Sequence, residues 1–300
     1  MQIAITGASG LIGSALRDAL RADGHTVRPL VRSPSDDPDA VGWDPAAGTV
    51  DAARLEGLDA VVHLAGAGIG DKRWSEGRKR EIRDSRTTGT GLLARTLAGL
   101  ERPPAVLVSG SAIGFYGDRG DEVVTELSAP GDDFLAQVVT AWEAATRPAD
   151  DAGIRTVCVR TGIVLAGSGG VLPRLALPFR LFVGGRLGSG RQWVSWVTLA
   201  DEVGAIRFLI DRDDIRGPVN AVAPEPVTNA ELATALGAVL HRPAAVPVPA
   251  FGPRLLLGRE MADELLFASQ RVRPAVLVDA GYPFAHTEVT GALTAALGAG

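Results

Sequence analysis

The chain has 300 residues, of which 46% are hydrophobic and 22% charged, and a chain of this size can bury a large core as one domain or as two lobes. Its formal net charge of −5 and the lack of a long basic run argue against nucleic acid or a membrane as a partner. No stretch approaches about eighteen uninterrupted apolar residues, and Met1 leads straight into an apolar strand without a leader-like segment, so we expect a globular, cytoplasmic protein.

The first element is an apolar strand, Gln2 to Thr6, that runs into Gly7, Gly10 and Gly13 and then into an amphipathic helix, Leu11 to Ala22. A chain that turns this quickly needs glycine where φ is positive and where a side chain would keep a ligand from the backbone. The free amides and the helix dipole then favour an anion. The pattern predicts a pyrophosphate site for a dinucleotide, with a tight structural turn as the alternative.

The second strand, Thr26 to Val31, indicates which dinucleotide binds. Folds that select NAD carry Asp or Glu at the end of this strand, where the carboxylate accepts a ribose hydroxyl. This chain has Val31, Arg32 and Ser33 there, and a guanidinium beside a hydroxyl suits a ribose phosphate. The sequence therefore predicts NADP(H), favoured over NAD(H) by about one to two decades in affinity. The alternative is that Arg32 ends the strand in solvent.

Further strand-like runs, at residues 60–64, 106–109 and 156–159, alternate with helical segments. Such alternation predicts the α/β class, with a doubly wound parallel sheet of the Rossmann type. The first of these runs continues into Ala65 and Gly66, small residues that suit a strand end passing close beneath a ligand.

After about residue 165 the alternation gives way to glycine-rich loops, a proline-rich stretch at 243–253 and an apolar helix around 262–269. We expect residues 1–165 and 200–222 to form the cofactor-binding domain. Residues 166–199 and 223–300 are expected to form a smaller C-terminal lobe that covers the substrate.

Two residues that often carry chemistry are interpreted as structural. His63 lies between apolar residues of a strand and is expected to be a packed core histidine. The single cysteine, Cys158, lies between two valines, which excludes an intrachain disulfide and predicts a buried thiol. The four histidines form no convincing ligand set, so we expect no catalytic metal.

Several motifs along the chain carry a resemblance to a known family. They are residues 59–66, 109–117, 160–165, 169–170, 184–185, 187–190, 195–196, 270–272 and 281–282. Together with the glycine turn they resemble the extended short-chain dehydrogenases/reductases, which include sugar-nucleotide epimerases and dehydratases. Within that superfamily they resemble an atypical epimerase-family branch, the SDR39U type, with a small C-terminal domain. The resemblance covers nearly the whole chain.

The resemblance implies a set of NADP contacts. They come from Gly7, Ser9, Gly10, Leu11, Ile12, Val31, Arg32, Leu64, Ala65, Glu81, Arg86 and Ile163. Ordinary extended members carry Asn at about the position of Arg86. For Glu81 and Arg86 the alternative is an exposed helical charge pair, which contributes about a few tenths of a kcal/mol.

One part of the family pattern is missing. Ordinary members use a Tyr and a Lys one helical turn apart, so that the ammonium lowers the pKa of the phenol that exchanges the proton. Leu135 and Val139 stand at those positions, and neither can transfer a proton. The remaining candidates are Tyr116, as the phenol, and Ser111, as a hydrogen-bonding hydroxyl, with a packing role as the alternative for Tyr116.

Two functions follow from these observations. The first is an NADP(H)-dependent oxidoreductase or epimerase-like enzyme acting on a small carbonyl or alcohol substrate. The second is a non-catalytic NADP(H)-binding redox sensor or interaction protein, which the missing Tyr-Lys pair motivates. Four arginines of the glycine-rich region could anchor an anionic substrate beside Trp193 and Trp196, or could be solvated loop charges. The oligomeric state and the substrate are left open.

Overall fold

The computed structural model describes residues 1–33 and 35–298. The strands are β1 (Gln2–Thr6), β2 (Thr26–Val31), β3 (Val41–Asp44), β4 (Thr49–Val50), β5 (Ala60–His63), β6 (Val106–Ala112), β7 (Val123–Val124), β8 (Arg155–Thr161), β9 (Ile163–Leu165), β10 (Trp193–Val194), β11 (Trp196–Thr198), β12 (Gly217–Ala221), β13 (Val227–Thr228) and β14 (Arg271–Val272). The α-helices are α1 (Leu11–Ala22), α2 (Glu76–Ala98), α3 (Phe134–Ala144), α4 (Arg147–Asp151), α5 (Leu172–Arg180), α6 (Leu199–Asp211), α7 (Asn229–Leu240), α8 (Phe251–Leu257), α9 (Arg259–Ala262), α10 (Ala275–Asp279) and α11 (Val289–Leu297).

Eight strands form the central sheet, in the order β12-β8-β6-β5-β1-β2-β3-β4. The strands from β12 to β3 pair in parallel, and the edge strand β4 is antiparallel to β3. The strand order reverses at β1, because β2 lies on one side of it and β5 on the other. In such sheets ligands bind outside the carboxyl ends of the strands at this reversal.

Helices cover both faces of the sheet. On one face α1 and α6 pack on a core that contains Ile3, Ile5 and Val159. On the other face α2 packs on a second core that contains Ala4 and Val61. Neighbouring residues of a strand point to opposite faces, so strands covered on both sides are apolar along their whole length. This explains the continuous apolar runs in the sequence and confirms the α/β prediction.

The first sheet strands and helix agree closely with the sequence-based expectations, and three later strands differ at their ends. Helix α1 and strands β1 and β2 have the predicted bounds, whereas β5 ends one residue early, at His63. Strands β6 and β8 extend beyond the expected ranges, to Ala112 and Thr161. The extra residues are polar or small, and their burial at the sheet's carboxyl edge is a tertiary effect.

The region after residue 165 contains short elements and small satellite sheets. The expected helix at 262–269 is wrong in its bounds: α9 begins at Arg259, and Asp263–Phe267 forms a π-helical turn. Apolar residues of α5, α7 and α11 share a separate core around Trp196. Among the described residues, no helix has the length and apolarity needed to cross a membrane.

Candidate functional site

The glycine turn after β1 is built so that only glycine fits. Gly7 has φ +69°, and a Cβ there would lie 2.9 Å from the carbonyl carbon of Leu64. A Cβ on Gly13 would overlap the carbonyl oxygen of Gly7. No side chain caps the N-terminus of α1, whose N-cap is Gly10, so the first amides of the helix are left for another acceptor. This is the geometry of an anion cradle.

Thr6 fixes the neighbouring loop against this turn. Its Oγ1 accepts hydrogen bonds from the amides of Leu64 and Ala65, at 3.0 and 3.1 Å. The same oxygen lies 2.7 Å from Nδ1 of His63. Burial lowers the pKa of His63 to about 4, so the imidazole is neutral and acts as a packed core residue, as the sequence predicts. The loop after β5 and the glycine turn are therefore held together at the carboxyl edge.

The glycine-rich loop after β9 also reaches this edge. A Cβ on Gly170 would lie 3.0 Å from a methyl group of Leu11, at the start of α1. Ile163, the first residue of β9, is only partly buried and pairs with Trp196 of β11. The structure thus brings the segments containing Gly7, Leu64 and Ile163 to one end of the sheet.

A cavity of about 550 Å³ lies at the end of β2. Its lining includes Val31, Arg32 and Ser33 from β2 and the turn after it, and Trp43 and Asp44 from β3. Among the described residues Arg32 has no ion-pair partner, whereas Asp44 Oδ1 already accepts from the amides of Ala46 and Ala47. Asp44 and Asp51 both line the cavity, but neither forms an ion pair with Arg32, which stands at the position where NAD-selective folds carry a carboxylate.

Arg86 and Glu81 do not pair with each other. Arg86 Nη1 donates to the carbonyl oxygens of Ala67 and Ile82, at 3.0 and 3.1 Å. Burial lowers the pKa of Arg86 to about 10, with a smaller contribution from the charge of Arg78. Glu81 pairs instead with Arg78 at 2.7 Å, and its pKa lies below the usual value because Arg78 hydrogen-bonds to the carboxylate. The alternative of a Glu81–Arg86 surface pair is thus wrong, and Arg86 is a half-buried cation against the loop after β5.

Ser111 belongs to a polar network that links four elements of the structure. Its Oγ donates to Glu143 Oε1 of α3, at 2.6 Å. Arg160 of β8 donates from Nε and Nη2 to the two oxygens of Glu143, each at 2.8 Å. The carboxylate therefore accepts the hydrogen bond of the Ser111 hydroxyl and is itself fixed by the bidentate contact with Arg160.

Tyr116 lies deeper in the same network and has no exposed surface. Its Oη donates to Oδ1 of Asn220 at 2.7 Å and accepts from Arg160 Nη1 at 3.0 Å. Burial raises the pKa of the phenol, against the opposing effect of Arg160. A side chain with no exposed surface cannot contact a substrate without a rearrangement, so the structure favours the packing alternative for Tyr116 over the catalytic one.

The positions of the missing Tyr-Lys pair are apolar and packed. Leu135 is 8% exposed and Val139 is 3% exposed. A Cβ on Gly114 would lie 3.4 Å from Leu135 Cβ, so α3 packs closely on the turn after β6. In this part of the chain neither position presents a group that exchanges protons.

The sequence-based analysis missed two acidic residues near the carboxyl edge, one mostly buried and one wholly buried. The first is Glu143, whose side chain is 15% exposed and pairs with Arg160. Glu202, in the first turn of α6, has no exposed surface and accepts a hydrogen bond of 2.7 Å from Thr161 Oγ1. Burial raises the pKa of Glu202 to about 7. The available signal was Arg160, a cation in a strand of valines, since a buried cation calls for a buried carboxylate.

Other candidates take structural positions. Cys158 is a buried free thiol, as predicted, and burial raises its pKa to about 12. Trp196 is fully buried, and Trp193 donates to Asp121 at 3.0 Å. Among the residues that the structure describes, no group of three His, Cys, Asp or Glu side chains could hold a metal ion.

A parallel sheet of this order, with a glycine turn and an uncapped helix N-terminus at its carboxyl edge, defines a protein of the Rossmann-type fold class. The chain belongs to the NAD dependent epimerase/dehydratase family, whose sequence profile matches residues 3–221. A second profile, a domain of unknown function, matches residues 248–296.

Several relatives match over nearly the whole chain. An epimerase family protein of Mycobacterium bovis is 45% identical over 97% of this chain and 96% of its own. The crystal structure of human epimerase family protein SDR39U1 with NADPH is 35% identical and covers 99% of both chains, with a TM-score of 0.91. A nucleoside-diphosphate sugar epimerase of Corynebacterium glutamicum is 39% identical with a TM-score of 0.83, and this chain spans 58% of that one. The resemblance to the SDR39U type is confirmed.

Proposed function

We propose that this chain binds NADP(H) across the carboxyl edge of its sheet. We further propose that it uses the cofactor in an oxidoreductase or epimerase-like reaction on a small carbonyl or alcohol substrate. The observation that carries the proposal is the cavity at the end of β2, where Arg32 and Ser33 stand without a carboxylate at the strand end. A ribose phosphate would give Arg32 a charge-assisted partner, which neither carboxylate of the cavity, Asp44 or Asp51, provides. Further support comes from human SDR39U1, whose crystal structure contains NADPH.

The residues present fit such a cofactor. Gly13 has no side chain where a Cβ would overlap the turn, and Gly7 adopts a positive φ. The backbone amides of the turn are therefore open to a pyrophosphate. We assign the ribose phosphate to Val31, Arg32 and Ser33. The remaining contacts are assigned to Ser9, Gly10, Leu11, Ile12, Leu64, Ala65, Gly66, Glu81, Arg86 and Ile163.

When bound, a nicotinamide cofactor supplies or accepts the hydride. The chain's own contribution is positioning. Because the Ser111 hydroxyl donates its hydrogen bond to Glu143, its oxygen lone pairs are left to accept a hydrogen bond from a substrate hydroxyl. With Leu135 and Val139 apolar and Tyr116 buried, we assign the proton exchange to water or to a carboxyl group of the substrate crevice.

The smaller lobe, residues 166–199 and 223–300, is proposed to cover the substrate. Arg174 of α5 donates to the carbonyl oxygen of Gly70 at 3.2 Å, which brings this lobe against the loop after β5. A lobe in this position excludes water from the crevice.

The cofactor assignment is tested by calorimetry with NADPH and NADH. Arg32→Ala should weaken NADPH binding by about ten- to a hundredfold and leave NADH binding nearly unchanged, because the variant removes only the contact to the ribose phosphate. Gly13→Ala should weaken both cofactors, because its Cβ disturbs the shared cradle.

The matched control is Arg95→Ala, which removes an exposed arginine near the end of α2 and should change neither affinity. Equal affinity of the wild-type protein for NADPH and NADH would overturn the NADP assignment. A lack of saturable binding by either cofactor would overturn the whole proposal.

A second candidate is a non-catalytic NADP(H)-binding sensor or interaction protein. The apolar packing of Leu135 and Val139 favours it, because these positions carry the proton-transfer pair of ordinary members. The two functions are separated by following the absorbance of bound NADPH while carbonyl compounds are screened. Oxidation that slows in Ser111→Ala supports the enzyme, whereas tight binding without oxidation across the screen supports the sensor.

A further inference from the structure

Half of the large apolar side chains that the described chain exposes lie on two short segments. The turn after α5 exposes Leu181, Phe182 and Val183 by 63, 59 and 52%. Helix α8 exposes Phe251, Leu255 and Leu256 by 72, 78 and 77%. These six residues are called the α5–α8 surface below. Scattered exposed leucines are ordinary, but such clusters mark interaction sites.

Backbone hydrogen bonds join the residues just after the first segment to the residues just before α8. The amide of Val246 donates to Gly184 at 3.2 Å, and the amide of Val248 donates to Arg186 at 2.9 Å. The guanidinium of Arg242 lies 4.5 Å from the ring centroid of Phe182, which fixes that ring at the surface. The apolar residues are therefore displayed by a fixed part of the fold.

Helix α8 itself has no buried residue. A seven-residue helix is too short to be stable through its backbone alone, so it depends on packing of its apolar side chains. Within the described structure Leu255 and Leu256 find little of that packing. Helix α8 is therefore expected to be stabilised by contact of its apolar side chains with a binding partner.

The charge around this surface is net positive. Residues 167–200 and 232–259 contain no Asp or Glu, and their charged residues are all arginines. Arg180 and Arg186 are exposed and have no ion-pair partner among the described residues, whereas Arg254 and Arg259 both pair with Asp263, which lies outside both stretches, at 2.7 and 3.6 Å. The sequence-based expectation against a membrane partner rested on the net charge of the whole chain, −5. The local charge at this surface is instead positive.

This combination selects among possible partners. A second copy of the chain joined across the same surface would place arginines against arginines. Nucleic acid would satisfy the arginines and leave the leucines and phenylalanines exposed. An anionic lipid surface satisfies both, since apolar side chains enter the boundary of the acyl chains and arginines meet the headgroups. We propose that the α5–α8 surface docks this protein peripherally on anionic membranes.

Vesicle flotation tests the proposal. The full chain should float with phosphatidylglycerol-rich vesicles and not with pure phosphatidylcholine vesicles, and added salt should weaken the association. The double variant Leu255→Glu and Leu256→Glu should lower the bound fraction by at least about tenfold, because it removes apolar contact and adds repulsion from the headgroups.

The control is Leu127→Glu, because Leu127 is 97% exposed on a different segment and the variant gains a carboxylate of the same kind, one where the double variant gains two. This variant should bind nearly like the wild type. Circular dichroism and melting temperature establish that each variant is folded. Failure of the wild type to float, or an equal loss in Leu127→Glu, would overturn the proposal. So would a wild-type dimer that the double variant dissociates, because the surface would then be occupied by a second copy.

Discussion

At the scale of single residues, Glu202 shows how position determines chemistry. It begins α6 with no exposed surface, and its Oε1 has Thr161 as hydrogen-bond donor while Oε2 has no partner among the described side chains. Burial without an ion pair raises its pKa from 4.5 to about 7. The folded protein therefore favours the protonated carboxyl near neutral pH.

This shift predicts a pH-dependent stability. Below about pH 4.5 the carboxyl of Glu202 is protonated in both the folded and the unfolded chain. Between pH 4.5 and 7 only the folded chain keeps this proton, so the free energy of unfolding falls as the pH rises. The loss should amount to about 3 kcal/mol, at roughly 1.4 kcal/mol per pKa unit. Urea denaturation at the two ends of this range should show a smaller fall in Glu202→Gln, which has no proton to lose.

The control for this prediction is Glu225→Gln, which alters an exposed glutamate close to Trp196 in the fold. Its pH dependence should match that of the wild type. An unchanged pH dependence in Glu202→Gln would show that another group is responsible.

At the scale of elements, β6, α3, β8 and β12 are joined by polar contacts across the sheet. Arg160 lies at the centre and donates both to Glu143 and to the phenol of Tyr116. Arg160 also lies 3.5 Å from the ring centroid of Phe115. A buried cation of this kind is tolerated only because each of its neighbours satisfies it.

Tyr116→Phe is expected to act through stability. The variant leaves Oδ1 of Asn220 without its donor and Nη1 of Arg160 without its acceptor, so the free energy of unfolding should fall by about 1–3 kcal/mol. The affinity for NADPH should be unchanged, because Tyr116 has no exposed surface. Denaturant unfolding and calorimetry on the same preparation measure both quantities. Unaltered stability together with lost turnover would restore the catalytic interpretation of Tyr116.

At the scale of the whole molecule, the proposed cofactor joins segments that are far apart in the chain. Gly7, Arg32, Leu64 and Ile163 lie on separate elements, and they meet only at the carboxyl edge of the folded sheet. A ligand bound to all of them stabilises the folded state and has no equivalent site in the unfolded chain.

NADPH should therefore raise the melting temperature more than NADH at equal concentration. At about a hundred times the dissociation constant the gain is roughly 2.7 kcal/mol. Thermal unfolding with each cofactor measures the difference. In Arg32→Ala the melting-temperature increases produced by NADPH and NADH should be nearly equal. Equal stabilisation by NADPH and NADH in the wild type would contradict this expectation.

How much the sequence could predict depends on how local the cause is. The bounds of β1, α1 and β2 followed from apolar periodicity and from glycine spacing. Helix α9 and the π-helical turn after it were missed, because a short apolar run fits several registers. The Glu143–Arg160 pair was missed, and the packing role of Tyr116 remained one of two alternatives, for another reason: the partners of these residues are distant in sequence.

The sequence alone determined the strand–turn–helix cradle and the Arg32–Ser33 end of β2, because both depend on backbone conformation and residue type within a few positions. Tertiary structure decided which polar groups are buried together. It placed Glu202 beside Thr161, directed the hydrogen bond of the Ser111 hydroxyl to Glu143 and left the α5–α8 surface exposed. Burial and pairing depend on contacts between distant segments, and such contacts exist only once the chain has folded.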